Sequence, residues 1–375
     1  MQTRRIISIV GRTGLIAATL SVAACRFDFD PELLSGQASR FQLGAADVTS
    51  LVPVATPTGF ALVTSRAGGA VTGSTFDLGD AGLVVSKQNV SLATSPTGSI
   101  GVASNGSEVM LAALDGSPAT GTSLYPLGAA LAATAGGTSR TGQLAITNPI
   151  ASGAGGFAFA SMLPTTLEVD AQQVSPLGAA GGSAVQIIAG TEQPEEVSIV
   201  SAGAGFAVSY TEAAGSPKAA RIEVLDASFT VIAGPVTGNI TADDAFHVRI
   251  AWSPQSATYL LAWSAKDETA ADDVWVEIFD STLAQLVPPT LLARYADNPE
   301  VAADGAGYWV VWEDTSTSPT FLTSAHVDLD GTPTPRTITT DGGGEPALWS
   351  VLDRAGQAVV VWTEIGGTGP DLFIQ

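Results

Sequence analysis

Tyr308-Trp309-Val310-Val311-Trp312-Glu313-Asp314, entered through Asp304-Gly305-Ala306-Gly307, is a short apolar run that ends on two carboxylates. Six other runs share its form: Phe60-Ala61-Leu62-Val63-Thr64, Val109-Met110-Leu111-Ala112-Ala113, Phe157-Ala158-Phe159-Ala160-Ser161, Phe206-Ala207-Val208-Ser209-Tyr210, Tyr259-Leu260-Leu261-Ala262-Trp263 and Ala358-Val359-Val360-Val361-Trp362. The seven starts, at 60, 109, 157, 206, 259, 308 and 358, lie 48 to 53 residues apart. A spacing that steady over most of the chain marks an internal repeat, and the repeat rather than the length sets the expected architecture.

The runs are rich in Val, Phe, Tyr and Trp and are bounded by Gly or polar turns, which is strand chemistry. They are apolar at consecutive positions, so both faces of each strand are expected to be buried. Upstream of each lies a weaker strand and a tight turn, as in Val197-Ser198-Ile199 before Ala202-Gly203-Ala204-Gly205. Downstream comes a third strand closed by an Asp-led turn, as in Ile222-Glu223-Val224-Leu225-Asp226 and Val276-Glu277-Ile278-Phe279-Asp280. A fourth short run follows, such as Thr290-Leu291-Leu292-Ala293. Four hairpin-linked strands per repeat, stacked face to face about an axis, make the blade of a β-propeller.

The sequence therefore predicts an all-β fold over residues 41–375: a seven-bladed β-propeller of four-stranded antiparallel blades, forming one body. After the last core run only Asp371-Leu372-Phe373-Ile374-Gln375 remains, enough for a third strand and no fourth. Arg40-Phe41-Gln42-Leu43-Gly44 is an orphan strand ahead of the first blade, and pairing it with the last one would remove two exposed edges. The last blade is thus expected to be closed by the N-terminal strand.

Apolar residues make up 45% of the 375 and charged ones 14%, enough to build a core. The net charge is −21. A surface that negative repels phosphate backbones, so no nucleic-acid partner is expected.

Arg4, Arg5 and Arg12 make a positive start, and Thr13 to Val22 is an apolar stretch ending in small residues, the pattern of an export signal. Arg12 cuts the apolar material short of the roughly 20 residues a membrane span needs. Cys25 is the sole cysteine, which rules out an intrachain disulfide. Residues 25–40 contain acid, Pro and Gly without a sustained period and read as a tether, reaching on the order of 50 Å when extended.

All seven tryptophans lie at or beyond Trp252, and the fifth position of the core run changes from Thr64, Ala113 and Ser161 to Tyr210, Trp263, Trp312 and Trp362. Large residues at a repeated apolar position are expected to fill the space between blades. Carboxylates stand just past the core strand at Glu313, Asp314, Glu364, Glu212, Asp267 and Glu268, and two of them about 5–10 Å apart would suit glycoside hydrolysis. Asp328-Leu329-Asp330-Gly331 has too few ligands for a calcium loop, and turn geometry accounts for it. His247 and His326 fall in different repeats. No nucleophile elbow, Walker loop or dinucleotide fingerprint is present. No catalytic residue, metal site or cofactor is assigned, and ligand-binding residues are not identified.

Val22-Ala23-Ala24-Cys25 resembles the lipobox of bacterial lipoproteins. The resemblance implies a signal peptide over 1–24, lipidation of Cys25, attachment to the membrane through it, and an address in the cell envelope, at the outer membrane. The pattern Gly-[Phe/Tyr]-x-Val-x-Trp with an acidic turn resembles the roughly fifty-residue propeller repeats of secreted and lipid-anchored bacterial proteins. It lacks the Trp-Asp ending, the paired glycines and the Asp-box of other propeller groups. The expected function is a lipid-anchored binding or scaffolding module that presents a propeller face to a protein, peptide or polysaccharide. The alternative is a carbohydrate-active hydrolase or lyase with carboxylates in the central channel.

Overall fold

A computed structural model describes residues 39–374 except 43–47, 80–81, 95–99, 116–120, 135, 142–145, 154, 164, 239–243, 267–271, 339–344, 355–356 and 366–370. Cys25, the signal-like segment and most of the tether lie outside the described residues, as do Asp267 and Glu268. None of the described helices is long and apolar enough to cross a membrane.

The chain folds into consecutive small antiparallel sheets. Sheet 1 is β2 (Val48–Ala55), β3 (Gly59–Arg66), β4 (Ala70–Gly79) and β5 (Gly82–Thr94), paired in that order. Sheet 2 is β6 (Ile100–Ser104), β7 (Glu108–Asp115), β8 (Gly121–Gly128) and β9 (Thr138–Thr141). Sheet 3 is β11 (Ile150–Gly153), β12 (Gly156–Met162), β13 (Val169–Val174) and β14 (Val185–Ile188). Sheet 4 holds β15 (Pro194–Ala202), β16 (Gly205–Glu212), β17 (Ala219–Leu225) and β18 (Val231–Gly238), with β10 (Ile146–Asn148) added beside β15. Sheet 5 is β19 (Ala245–Ser253), β20 (Thr258–Lys266), β21 (Asp272–Asp280) and β22 (Gln285–Arg294). Sheet 6 is β23 (Ala296–Ala303), β24 (Gly307–Asp314), β25 (Phe321–Asp328) and β26 (Pro333–Thr337). Sheet 7 is β27 (Glu345–Arg354), β28 (Gln357–Ile365) and β29 (Asp371–Ile374), completed by β1 (Ser39–Gln42).

Every core run of the repeat is the second of the four chain-consecutive strands of its sheet, or of the three in sheet 7. The expectation of seven uniform four-stranded blades is corrected: six sheets have that form, and sheet 4 has a fifth strand. The cause is the Asn148-Pro149 step. Proline cannot donate to a ladder and restricts the residue before it, so the entry to sheet 3 breaks into β10 and β11. Asn148 pairs in parallel with Ser198 of β15, and its amide donates to the Ile199 carbonyl at 3.3 Å. The terminal strands meet as expected: Arg40 lies opposite Phe373 and Phe41 opposite Leu372.

The apolar material is divided among clusters that each span two successive sheets. Phe60, Leu62, Leu352 and Val361 join sheets 1 and 7, and Tyr259, Trp263, Ile222 and Val224 join sheets 4 and 5. Tyr210, Trp263 and Trp362 are fully buried and Trp312 nearly so, so the aromatic fifth position fills space between sheets. The architecture is a β-propeller. Its strands β2, β6, β11, β15, β19, β23 and β27 touch in succession and β27 meets β2; the central channel is lined by six of them and, in place of β11, by Thr147 and Asn148 of β10.

Candidate functional site

Five innermost strands carry a ladder irregularity near their first residues, β2 and β27 among them, and in three it falls at the same place. The ladder shifts between Glu195 and Ser198 in β15, Phe246 and Arg249 in β19, and Asp297 and Glu300 in β23. At each shift a non-glycine residue takes a positive φ: Glu196 at 52°, His247 at 52° and Asn298 at 52°. A bulge re-aims side chains that regular pairing would send to the faces of the sheet. Left-handed backbone at such residues is sparsely populated and collects at functional sites. Here the three bulges sit side by side at one mouth of the channel.

Their side chains interlock across sheets. His247 Nδ1 lies 2.8 Å from Asp297 Oδ1, and its Nε2 faces Glu196 Oε1 at 3.7 Å. The His247 backbone N–H donates to the Glu196 carboxylate. Burial pulls the imidazole down, but Asp297 and Glu196 outweigh it and hold the ring above its ordinary pKa. Burial pushes Asp297 up, yet its bonds from His247, Ser264 and the Asn298 N–H leave it below the usual carboxylate range. Asp272 nearby is raised, first by burial and then by Asp297.

Deeper in, Arg249 Nε donates to Glu300 Oε1 at 2.7 Å and its Nη2 reaches Asn298 Oδ1 at 3.4 Å. Trp349 of sheet 7 donates its indole N–H to the Asn298 carbonyl at 3.1 Å. The channel holds about 380 Å³. Its other walls are neutral, with Ser50, Val52, Ile100, Val102, Ser198 and Ser350 among the lining residues. Glu300 is the one carboxylate in the described lining, and it is paired.

Among the described residues, none of the carboxylates that the sequence places past the core strand lines the channel. Glu212 pairs with Arg221, and Asp314 accepts the Ser316 backbone N–H at 2.9 Å. Glu364 is buried and accepts the Trp362 indole N–H at 3.2 Å. His326 lies between Asp304 and Asp328, each at 3.0 Å, and Asp304 also accepts the Trp309 indole N–H. Asp226 and Asp280 each fold one oxygen back onto two backbone N–H groups of their own turn. Among the described residues no three His, Cys, Asp or Glu side chains are placed to hold a metal.

Sequence reasoning missed Glu196, Asp297, Asn298 and the Arg249–Glu300 pair. Their one signal was positional: 196, 247 and 298 recur at the repeat spacing, but with a different residue type each time.

No family model matches the chain, and no curated protein matches it. Among solved structures it is similar to Kuenenia stuttgartiensis hydrazine synthase, with a TM-score of 0.53 at 12% identity over 88% of this chain and 96% of that one. A structure of prolyl endopeptidases gives 0.51 at 12% identity over 89% of this chain and 50% of that chain. The β-propeller domain of the Trilobed protease from Pyrococcus furiosus gives 0.51 at 10% identity, covering 88% and 95%. At such identities the likeness is one of fold. That Pyrococcus domain is described as having an open velcro topology, whereas here β1 pairs with β29.

Proposed function

We propose that this protein is a non-enzymatic binding module of the cell envelope. Its seven sheets serve as the blades of one ring, held at the membrane by lipidated Cys25, with the channel mouth at sheets 4 to 6 presented to a protein, peptide or polysaccharide. The observation that carries the reading is the mutual pairing of the mouth's charges. His247 Nε2, the atom that would activate a nucleophile in a hydrolytic dyad, faces the Glu196 carboxylate, and Arg249 is tied to Glu300. Held in this way, with His247 Nδ1 on Asp297 and Arg249 Nε on Glu300, these side chains give the mouth a fixed polar surface for a ligand. A glycosidase reading needs two carboxylates free to flank the bond to be cut; Glu300 of the described channel lining is paired with Arg249, and Asp297 and Glu196 at the mouth are turned toward His247.

Full-length protein immobilised in detergent should retain a polysaccharide or peptide fraction of envelope extract without altering it. Arg249→Gln should weaken that retention about ten-fold. Release of shortened saccharides would overturn the reading. Cys25→Ser should move the protein from the membrane fraction to the soluble one, and continued sedimentation with membranes would remove the anchor from the account.

A further inference from the structure

A second pocket lies between sheets 4 and 5, at the other end of their strands. Its walls come from the β15–β16 turn at Ala202–Gly205, the β17–β18 turn at Asp226–Ser228, Ile232 of β18, and Trp252, Tyr259 and Ser281 of sheet 5. It encloses about 540 Å³. Trp252 stands five residues beyond His247 on the same strand, so roughly 16 Å at about 3.3 Å per residue separates this pocket from the channel mouth.

Trp252 breaks the repeat. The residue paired with the first position of each core run is Ala55, Ser104, Ser152, Ser201, Trp252, Ala303 or Asp353. Five of the other six are Ala or Ser, and a small residue there suffices to build the turn. The indole is only partly buried and leans on the closed-off Tyr259 ring, with centroids 4.5 Å apart. It is therefore the aromatic surface that a visitor to the pocket meets. Ile232, 64% exposed, adds a second apolar wall on a strand that is open to solvent.

The charge of the pocket has one sign. Among the described residues its lining contains no Lys, Arg or His, and Asp226 supplies the single carboxylate. Asp226 Oδ1 is used by its own turn, accepting from the Ser228 and Thr230 N–H groups at 2.8 and 2.9 Å, which leaves Oδ2 without a hydrogen bond among the described residues. An aromatic face beside a fixed negative charge, in a chain of net charge −21, favours a cation with an apolar body. Ring quadrupole and carboxylate both attract such a group, and the alkyl part has apolar walls to cover. A saccharide would ask for several converging donors and acceptors, and few are here.

We infer that the pocket between sheets 4 and 5 is a binding site for an organic ammonium group, held against Trp252 with Asp226 as counter-ion. The ammonium could be carried by a free alkylammonium compound or by a lysine side chain of a peptide. The site stands independently of the channel mouth, so the failure of either reading leaves the other intact.

The test uses full-length protein labelled with 15N-tryptophan, whose seven indole signals are followed while benzyltrimethylammonium is added. The Trp252 signal, identified by its loss in Trp252→Phe, should shift and saturate at millimolar concentration. The neutral isostere neopentylbenzene should shift it far less. Asp226→Asn keeps an oxygen for the turn and removes the charge, and it should weaken binding at least five-fold and abolish its salt dependence. Trp252→Leu should remove binding, and the six remaining signals report whether that variant is folded. A trimethyl-lysine peptide binding more tightly than the free cation would assign the source to a protein partner. Tighter binding of the free cation would assign it to a small molecule. Equal response to the neutral isostere, or unchanged affinity in Asp226→Asn, would overturn the inference.

Discussion

Sheets 1 to 3 and sheets 4 to 7 are built on one four-strand plan with different side chains. In the first group the fifth position of the second strand holds Thr64, Ala113 and Ser161; in the second it holds Tyr210, Trp263, Trp312 and Trp362. Thr64 answers Thr72 across the strand with a hydroxyl contact at 3.1 Å, while Trp263 and Trp362 fill space against the neighbouring sheet. The third strand differs too. Where sheet 1 has Ser74 and sheet 6 has Ala325, sheets 4 and 5 bury Glu223 and Glu277. The charged channel groups follow the same division: Glu196, His247, Arg249, Asp297 and Glu300 all belong to sheets 4 to 6. A repeat thus keeps its backbone through pattern alone, and the sheets that depart from the pattern carry the chemistry.

The largest effect should come from the aromatic position. Trp263→Ala removes a fully buried ring and should cost about 3–5 kcal/mol, whereas Thr64→Ala at the same repeat position should cost about 1 kcal/mol. Urea denaturation of both variants measures the gap. Equal losses would mean that the two groups of sheets are cemented alike.

Next in size is the buried carboxyl of sheet 5. Burial, only partly offset by a bond from Gln285, pushes Glu277 up to about 7, and its Oε2 has no hydrogen-bond partner among the described residues. A Cβ at Gly238 on the facing strand would come within 3.0 Å of that oxygen, so the glycine makes room for the group. Because the folded pKa exceeds the ordinary 4.5, the favourable contribution is full below about pH 4.5 and is lost as pH rises through 7. Glu277→Gln should therefore raise stability by about 2–3 kcal/mol at pH 8 and leave it unchanged at pH 4. Stability curves of both proteins at the two pH values check this, and a gain at pH 4 would contradict the assigned cause.

The smallest effect concerns the mouth. His247 is held above its ordinary pKa, so its pairing with Asp297 and Glu196 is fully formed below about pH 6.5 and fades as the ring loses its proton at higher pH. With the ring one-third exposed, solvent screening keeps the contribution under about 1 kcal/mol. The His247 imidazole resonances should titrate above pH 6.5 and return toward the ordinary value in Asp297→Asn. An unmoved midpoint would separate the two side chains.

The period, the second strands and the pairing of the terminal segments were all legible because they rest on apolar spacing and on unpaired edges. The fifth strand of sheet 4 was not. Residues 117–156 are dominated by Ala, Gly, Ser and Thr, which fit a strand, a turn or a channel wall equally, and the Asn148-Pro149 break acts through contacts with β15. Glu196, His247 and Asn298 were hidden for another reason. A bulge is a backbone event, and its three residue types share no chemistry that a pattern could flag. His247 was visible as a histidine, but its partners lie 51 and 50 residues away.

Retention of envelope ligands tests the account most directly. With wild-type protein and the Arg249→Gln and Asp297→Asn variants on one surface, at least one polysaccharide or peptide fraction should bind wild type, weaken about ten-fold in both variants and elute chemically intact. Undiminished binding by both variants, or an eluate cut into smaller pieces, would contradict a binding function at the mouth of sheets 4 to 6.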